Sequence, residues 1–347
     1  MKTIYNLLWL CALPLLTLAR PPEEDPNNIE KKKTILKVYD VDNNDNLLID
    51  NQFGQVSIAL WDKPEIRVQI VITASSSSDE RAQRALDAVE IEDKRTGNQI
   101  MVKTHLNKSG SSSWNWGNGD KPNSLRIDYV VSMPHQNALS VRNQFGNTSI
   151  PAFQAALTVH SRYGNFTADQ LGNQNDIDVA YGKANIGTMD IGKLAISYST
   201  LDVMRVNGLT LVNKFGKMTI GDVGRLDANI GYSGAKIGTL REWGKIKLDF
   251  SGGFRIDQLK SADNVDIKSS YSSIALPLDD NTGYDFDVTV SYGNFSYGTG
   301  QPVRFTLQPD EDNKHGPKFT KQYAGKIGRG SGPKVKVVSS FGNVNFR

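Results

Sequence analysis

An aromatic residue followed by Gly or Ser returns at a nearly fixed interval through the middle of this chain, and that repeat constrains the fold more than any other feature. It reads Phe145-Gly146, Tyr163-Gly164, Tyr181-Gly182, Tyr198-Ser199, Phe215-Gly216, Tyr232-Ser233, Phe250-Ser251, Tyr271-Ser272 and Tyr292-Gly293, with outliers Phe53-Gly54 and Phe341-Gly342 near the two ends. Four residues before each ring stands an apolar residue, from Ile49, Val141 and Val159 through to Val288 and Val337. Five residues after it stand Ile58, Ile150, Ala168, Ile186, Val203, Ile220, Ile237, Leu276, Tyr297 and Phe346, and the Phe250 unit needs one inserted residue to bring Ile256 into line.

Alternation at positions minus four, minus two and zero is strand periodicity, and the three-residue steps that follow are corners. A unit of 17 to 21 residues is too short for a parallel crossover through a helix but suits one turn of a coil built from short strands. The expected fold class is therefore all-β: a single-chain β-solenoid, β-helix-like, with coils of about 17–21 residues and a small strand-helix-strand elaboration near the N-terminus. Coils stacked at the ~4.8 Å spacing of paired strands would make a rod segment of roughly 40 Å between Phe145 and Tyr292. Each ring then sits above the last. The apolar neighbours at even spacing favour an interior stack that fixes register, and an exposed ladder for sugar rings is the alternative. Glycine after the ring is expected to supply the backbone angles of the corner.

The first residues, MKTIYNLLWLCALPLLTLA, place Lys2 before an apolar run from Ile4 to Leu18, with small residues before a cleavage point, so 1–19 reads as a secretory signal peptide. The run is interrupted by Pro14 and falls short of the ~20 residues that cross a bilayer. No transmembrane anchor is expected in the mature chain. Cys11 is the only cysteine and lies inside that leader, so the mature chain is expected to use neither disulfides nor thiolate chemistry. With 40 basic against 37 acidic residues, the formal charge of +3 predicts no general affinity for nucleic acid.

Residues 20–140 form an N-terminal coil with a capping elaboration. There EIRVQIVITA reads as a strand, DERAQRALDAVEI as a short helix capped by Ser78 or Asp79, and NQIMVKTHL and SLRIDYVVSM as strands around a polar loop. Residues 141–300 are the regular array. Residues 301–347 are a basic, Gly-rich insertion between two coils, then PKVKVVSSFGNVNFR, which is expected to pair as the last coil or edge.

LLIDNQFGQVSI, the strand-helix-strand around DERAQRALDAVEI, VSMPHQNALSVRNQFGNTSI and the closing VKVVSSFGNVNFR together resemble a known pattern, the adhesin-like family of bacterial β-strand-repeat envelope proteins, including the related head-domain adhesins. The resemblance covers nearly all of the chain after the leader. It implies a secreted, non-enzymatic scaffold or binding protein of the bacterial envelope, at the periplasm or outer surface, with envelope polysaccharide or a surface protein as partner. The family supplies no catalytic residue to carry over.

The residues themselves point the same way. His105, His135, His160 and His315 are far apart, without the spacing of a zinc site. No nucleophile elbow or phosphate loop occurs. Carboxylates cluster in DVDNNDN at 40–46, at Asp176 and Asp178, and at Asp279, Asp280, Asp285 and Asp287. The first lacks the glycine and distal Glu of an EF-hand, and the second pair flanks Ile177 on the outward face. Neither a cofactor nor a metal is expected. Trp114 and Trp116, two apart in the polar loop SSSWNWGNG, are the candidate binding residues; the nine array rings, Phe145 to Tyr292, are taken as structural. Sequons at Asn107, Asn147, Asn165 and Asn294 follow from an Asn- and Ser-rich repeat and carry no glycan assignment. Two rival functions remain open: a polysaccharide-acting β-helix enzyme using Asp176 or Asp178, and a structural protein that self-assembles end to end.

Overall fold

The structure is a computed structural model that describes residues 28–107, 124–260, 263–277, 283–298, 303–309, 319–328 and 332–347. These form an all-β architecture of twenty-five strands, linked by hydrogen bonds into one sheet, and a single helix. The signal-peptide reading and the loop with Trp114 and Trp116 fall outside the described residues.

The periodicity in sequence becomes periodicity in pairing. Strands Lys183–Ser197, Thr200–Lys214, Lys217–Gly231 and Gly234–Asp249 each take up nearly a whole repeat and lie parallel, in register, on one another. Ile186 therefore pairs with Val203, Val203 with Ile220 and Ile220 with Ile237, while Leu194 leads to Leu211, Ala228 and Ile246 in the same way. The register shifts once, between Val223 and Arg225 against Gly234–Asp249, where that unit is one residue longer. On either side of these four, the repeat breaks into shorter strands that keep the same parallel pairing, such as Leu157–Arg162 between Ala138–Gln144 and Asn175–Ala180.

The expected inward positions are buried, except Tyr297, five residues after Tyr292, which is exposed. Ile49, Val141, Val159, Ile177, Ile267, Val288 and Val337 are completely inaccessible, and so are Ile220, Ile237 and Leu276 five residues after their rings. Burying a side chain of this size contributes about 1.5–3 kcal/mol, so these aliphatic columns supply most of what holds the coils together. The position two before the ring also buries polar residues: Asn51, Asn143, Ser161, Asn213, Ser269 and Ser339. Asn213, two before Phe215, is completely buried, and both of its amide atoms lack a protein partner.

The two ends are closed differently. At the N-terminal end, Glu65–Ser76 runs antiparallel to both Ile29–Asp40 and Ser124–Pro134, and Val89–Thr96 runs antiparallel to Gln99–Leu106. Between them lies the helix Asp79–Asp87, where Ser78 accepts the Arg81 N–H as N-cap and Ala82, Ala85 and Leu86 are buried. The elaboration therefore follows its sequence pattern, with Ser78 rather than Asp79 as the cap. Ile29–Asp40 is a strand that the pattern did not reveal. Among the described residues it pairs on one side only, and its Lys31, Lys32, Lys33 and Lys37 are the charges that keep an edge from pairing with another chain.

At the other end, the closing segment does not form the last coil or edge. Lys334–Ser340 pairs parallel with Asn264–Ser270 on one side and with Tyr284–Ser291 on the other, so the final coil sits between two coils that are consecutive in sequence. The outward position five residues before the ring gives a reason. Along the axis it reads Asp227, Lys245, Asp266, Lys336, Asp287. Stacking in sequence order would set Asp266 against Asp287, and like charges directly opposite destabilise a strand pair; the closing coil places Lys336 between them. Thr320–Ile327 then covers Tyr284–Ser291 antiparallel, followed by Val303–Leu307.

Candidate binding surface

The repeated rings do form a continuous column, but at the surface rather than in the core. Phe53, Phe145, Tyr163, Tyr181, Tyr198, Phe215, Tyr232, Phe250, Tyr271, Phe341 and Tyr292 stack in that order with centroids 4.7–5.2 Å apart and planes within 12°. Phe319 adds a further ring on Tyr292 at 5.2 Å. From Phe145 to Tyr292 the rings are 42–57% exposed.

The backbone explains why alternation misplaced them. The strand ends at the residue before each ring, and all eleven ring residues have φ between 49° and 63°, in the left-handed region. That kink turns outward a side chain that strand periodicity would have sent inward. The residue after the ring is small for a different reason from the one expected. At Gly146 and Gly164 a Cβ would lie 1.8–1.9 Å from the carbonyl oxygen of the neighbouring coil, so glycine is needed for space, and the corner angle is supplied by the aromatic residue itself. Where serine replaces it, the hydroxyl joins coils: Ser199 Oγ accepts the Gly182 N–H and donates to the Ser197 carbonyl, and Ser233 and Ser272 repeat the arrangement.

A left-handed non-glycine residue costs on the order of 1–2 kcal/mol, and a stacked aromatic pair returns about 0.5–1.5 kcal/mol. The backbone N–H groups of the ring residues also bond the coil next in the stack, at 2.9 Å from Phe145 to the Arg162 carbonyl and 3.0 Å from Tyr198 to the Lys214 carbonyl. Strain and stacking are of similar size, so the column is marginal in energy but exact in register. Its geometry also limits what it can bind. Ring faces within the column are covered by the rings on either side, leaving only their edges to solvent, whereas stacking on a sugar or a base uses a face.

Beside the C-terminal half of this column runs an open groove of about 820 Å³. Gly234 and Gly253 lie along it, and a Cβ at either would meet nothing within 4 Å. Side chains missing from the outer face therefore open the groove. Lys217, Lys236, Arg255 and Arg347 supply its charge, and Asn294, Asn343 and Asn345 supply amides. Lys236 and Arg255 share the Asp257 carboxylate at 3.3 and 2.6 Å.

Among the described residues the acidic and histidine candidates are dispersed; Asp279, Asp280 and His315 fall outside them. Asp178 is held by Arg162, with His160 at 3.7 Å, and Asp176 lies opposite Lys193 in the next coil. His105 meets Glu92 on an exposed strand pair, and His135 is 3.6 Å from Asp62. Asp45 takes Arg95 at 2.8 Å. No cluster of three or more His, Cys, Asp or Glu that could hold a metal occurs among the described residues. The sequon asparagines Asn147 and Asn165 use their side-chain oxygens as rungs, accepting the N–H groups of Asn165 and Lys183. Shifted pKa values occur in the end structures. Burial pushes the Tyr129 phenol up to about 12 and also raises Tyr284, while the Lys37 ammonium bonded to Asp93 holds that carboxyl below its usual range.

No protein-family model matches the chain, and no curated protein matches it. Among solved structures it is similar to a proposed lipid-binding protein from Parabacteroides distasonis, with a TM-score of 0.37 and 11% identity over 92% of this chain and 96% of that one. A proposed adhesin from Parabacteroides merdae gives 0.34 and 11% over 91% and 96%. A proposed cell adhesion protein from Clostridium sporogenes gives 0.22 and 11% over 91% and 99%. Likeness at this level carries no role over to the chain. No described helix is long and apolar enough to cross a membrane.

Proposed function

We propose that this chain is a secreted, non-enzymatic β-solenoid of the bacterial cell envelope, an adhesin-like scaffold that binds an envelope component or surface protein along its outer face. The solenoid reading is supported by parallel pairing of each repeat on the next, with a whole unit in register from Lys183 to Asp249. Secretion is supported by the leader at 1–19, which carries Lys2, the apolar run and the small residues before a cut. The observation that carries binding is the open groove beside the ring column, with cations and amides delivered by successive coils. A rigid register fixes the backbone that carries such groups, so ordering on binding is confined to their side chains.

The test is retention of the chain from Arg20 onward on fractionated envelope, with peptidoglycan, lipid, polysaccharide and protein kept apart and a Trp114→Ala, Trp116→Ala variant alongside. Saturable enrichment in one fraction is the expected result, and loss in the variant would place the contact in the tryptophan loop. Absence of enrichment in every fraction would overturn the binding reading. End-to-end self-assembly has one observation in its favour: among the described residues the short strand Phe295–Tyr297 pairs on one side only, and it exposes Tyr297. The lysine-rich edge at Ile29–Asp40 opposes it. A molar mass that rises with concentration in light scattering would move weight to assembly.

A further inference from the structure

The geometry points to the groove beside the ring column as a binding site for a linear acidic polysaccharide lying along the rod axis. This deepens the binding reading and rests on it. The groove draws residues from six coils stacked in order, those of Phe215, Tyr232, Phe250, Tyr271, Phe341 and Tyr292. At the spacing of paired strands, that is a run of roughly 24 Å. Lys217, Lys236 and Arg255 enter from three consecutive coils, so the site presents a line of positive charge rather than a single anion pocket.

The chemistry of the lining selects the ligand. No carboxylate lies within 4.0 Å of Lys217 among the described residues, and Asp257 is the acid shared by the other two. Lys236 and Arg255 remain 48% and 40% exposed, and ion pairs of that kind contribute only about 0–1 kcal/mol. A ligand carboxylate can replace Asp257 at little cost. Asn343 already gives its side-chain oxygen to the Asn294 N–H at 3.0 Å, which leaves its amide N–H groups to donate to hydroxyls or ring oxygens.

Other polyanions fit less well. A single-stranded nucleic acid needs ring faces to stack on, and these are covered within the column. An acidic peptide gains affinity by adding to a sheet edge. Here the backbone is already spent between coils, as in Gly234 N–H to the Gly216 carbonyl, Phe254 N–H to Ser273 and Ile274 N–H to Asn343. A lipid surface cannot follow a concave groove along its length. A flexible chain of sugars with a carboxylate at regular intervals can.

The test uses the chain from Arg20 onward and a polygalacturonate oligosaccharide as probe, with its fully methyl-esterified form as the uncharged control, by titration calorimetry. The expected result is saturable binding to the acid and none to the ester, weakened about tenfold or more in Lys217→Gln, Lys236→Gln, Arg255→Gln. Gly234→Tyr, which fills the groove without changing charge, should weaken it as well. A second triple, Lys193→Gln, Lys247→Gln, Lys268→Gln, removes equal charge from the other face and should bind as the parent does. Thermal unfolding of each variant checks that the fold is kept. Equal weakening by the two triples would overturn the site, since charge alone would then be responsible. Binding to phosphatidylglycerol vesicles but not to the oligosaccharide, lost in the first triple, would replace the polysaccharide with a lipid headgroup. Retention on an envelope fraction with no oligosaccharide binding would reject this inference while leaving the binding reading intact.

Discussion

Two columns run the length of the protein with the same period, one of aliphatic side chains inside and one of aromatic rings outside, and opposite physics holds them. The inner column is apolar area removed from water, so its members exchange freely among Ile, Val, Leu and Ala. The outer column buries about half of each ring and requires a left-handed backbone at every member. Identity is therefore conserved along the outer column for contact with its own neighbours, and along the inner one only for size and polarity. A repeat that looks most regular in sequence is thus not the one that contributes most to stability.

Substitution at equivalent levels of the two columns separates them. Ile177→Ala should be the most damaging, about 2–5 kcal/mol from lost burial and the cavity left behind, read as a fall in the denaturation midpoint. A fall below 1 kcal/mol would mean that the inner column is not the source of stability. Gly164→Ala comes next, at about 1–3 kcal/mol, because its Cβ must displace the Gly146 carbonyl of the adjacent coil. If the same change were neutral, glycine would be there for some reason other than space.

Tyr198→Ala removes stacking on Tyr181 and on Phe215 but keeps the left-handed strain, so it should cost about 1–3 kcal/mol. Tyr198→Gly removes the same stacking and relieves the strain, and should be less damaging by up to about 1 kcal/mol. The reverse order, with glycine worse than alanine, would contradict the φ of 51° at this residue. Smallest and opposite in sign is Asn213→Leu. It replaces a buried amide whose two polar atoms have no protein partner, and should raise stability by about 1 kcal/mol. Loss of stability there would indicate an amide satisfied by buried water.

Much of this architecture was legible in the sequence because strand periodicity reports directly on burial. The positions four before and five after the rings were readable as inward, Tyr297 apart, and the helix followed from local pattern, which left its cap open between Ser78 and Asp79. The ring position was not, since alternation assumes an unbroken strand and a left-handed residue at its end reverses the side chain. The place of the closing coil was hidden because pairing between Asp266, Lys336 and Asp287 spans segments far apart in sequence. Ile29–Asp40 was missed because its lysines mask a pattern in which one face rests on the helix side and the other meets solvent. The groove escaped notice for a related reason. Its cations fall at different offsets from their rings, and what defines it is the lack of side chains at Gly234 and Gly253.

Tyrosine nitration mapped by mass spectrometry tests the central claim, that the ring column lies at the surface with its edges outward. Tyr163, Tyr181, Tyr198, Tyr232, Tyr271 and Tyr292, each about half exposed, should be modified in the native protein, while the buried Tyr129 and Tyr284 should react only after unfolding. Protection of the six array tyrosines to the same degree as Tyr129 and Tyr284 would put the column back in the core and contradict the account.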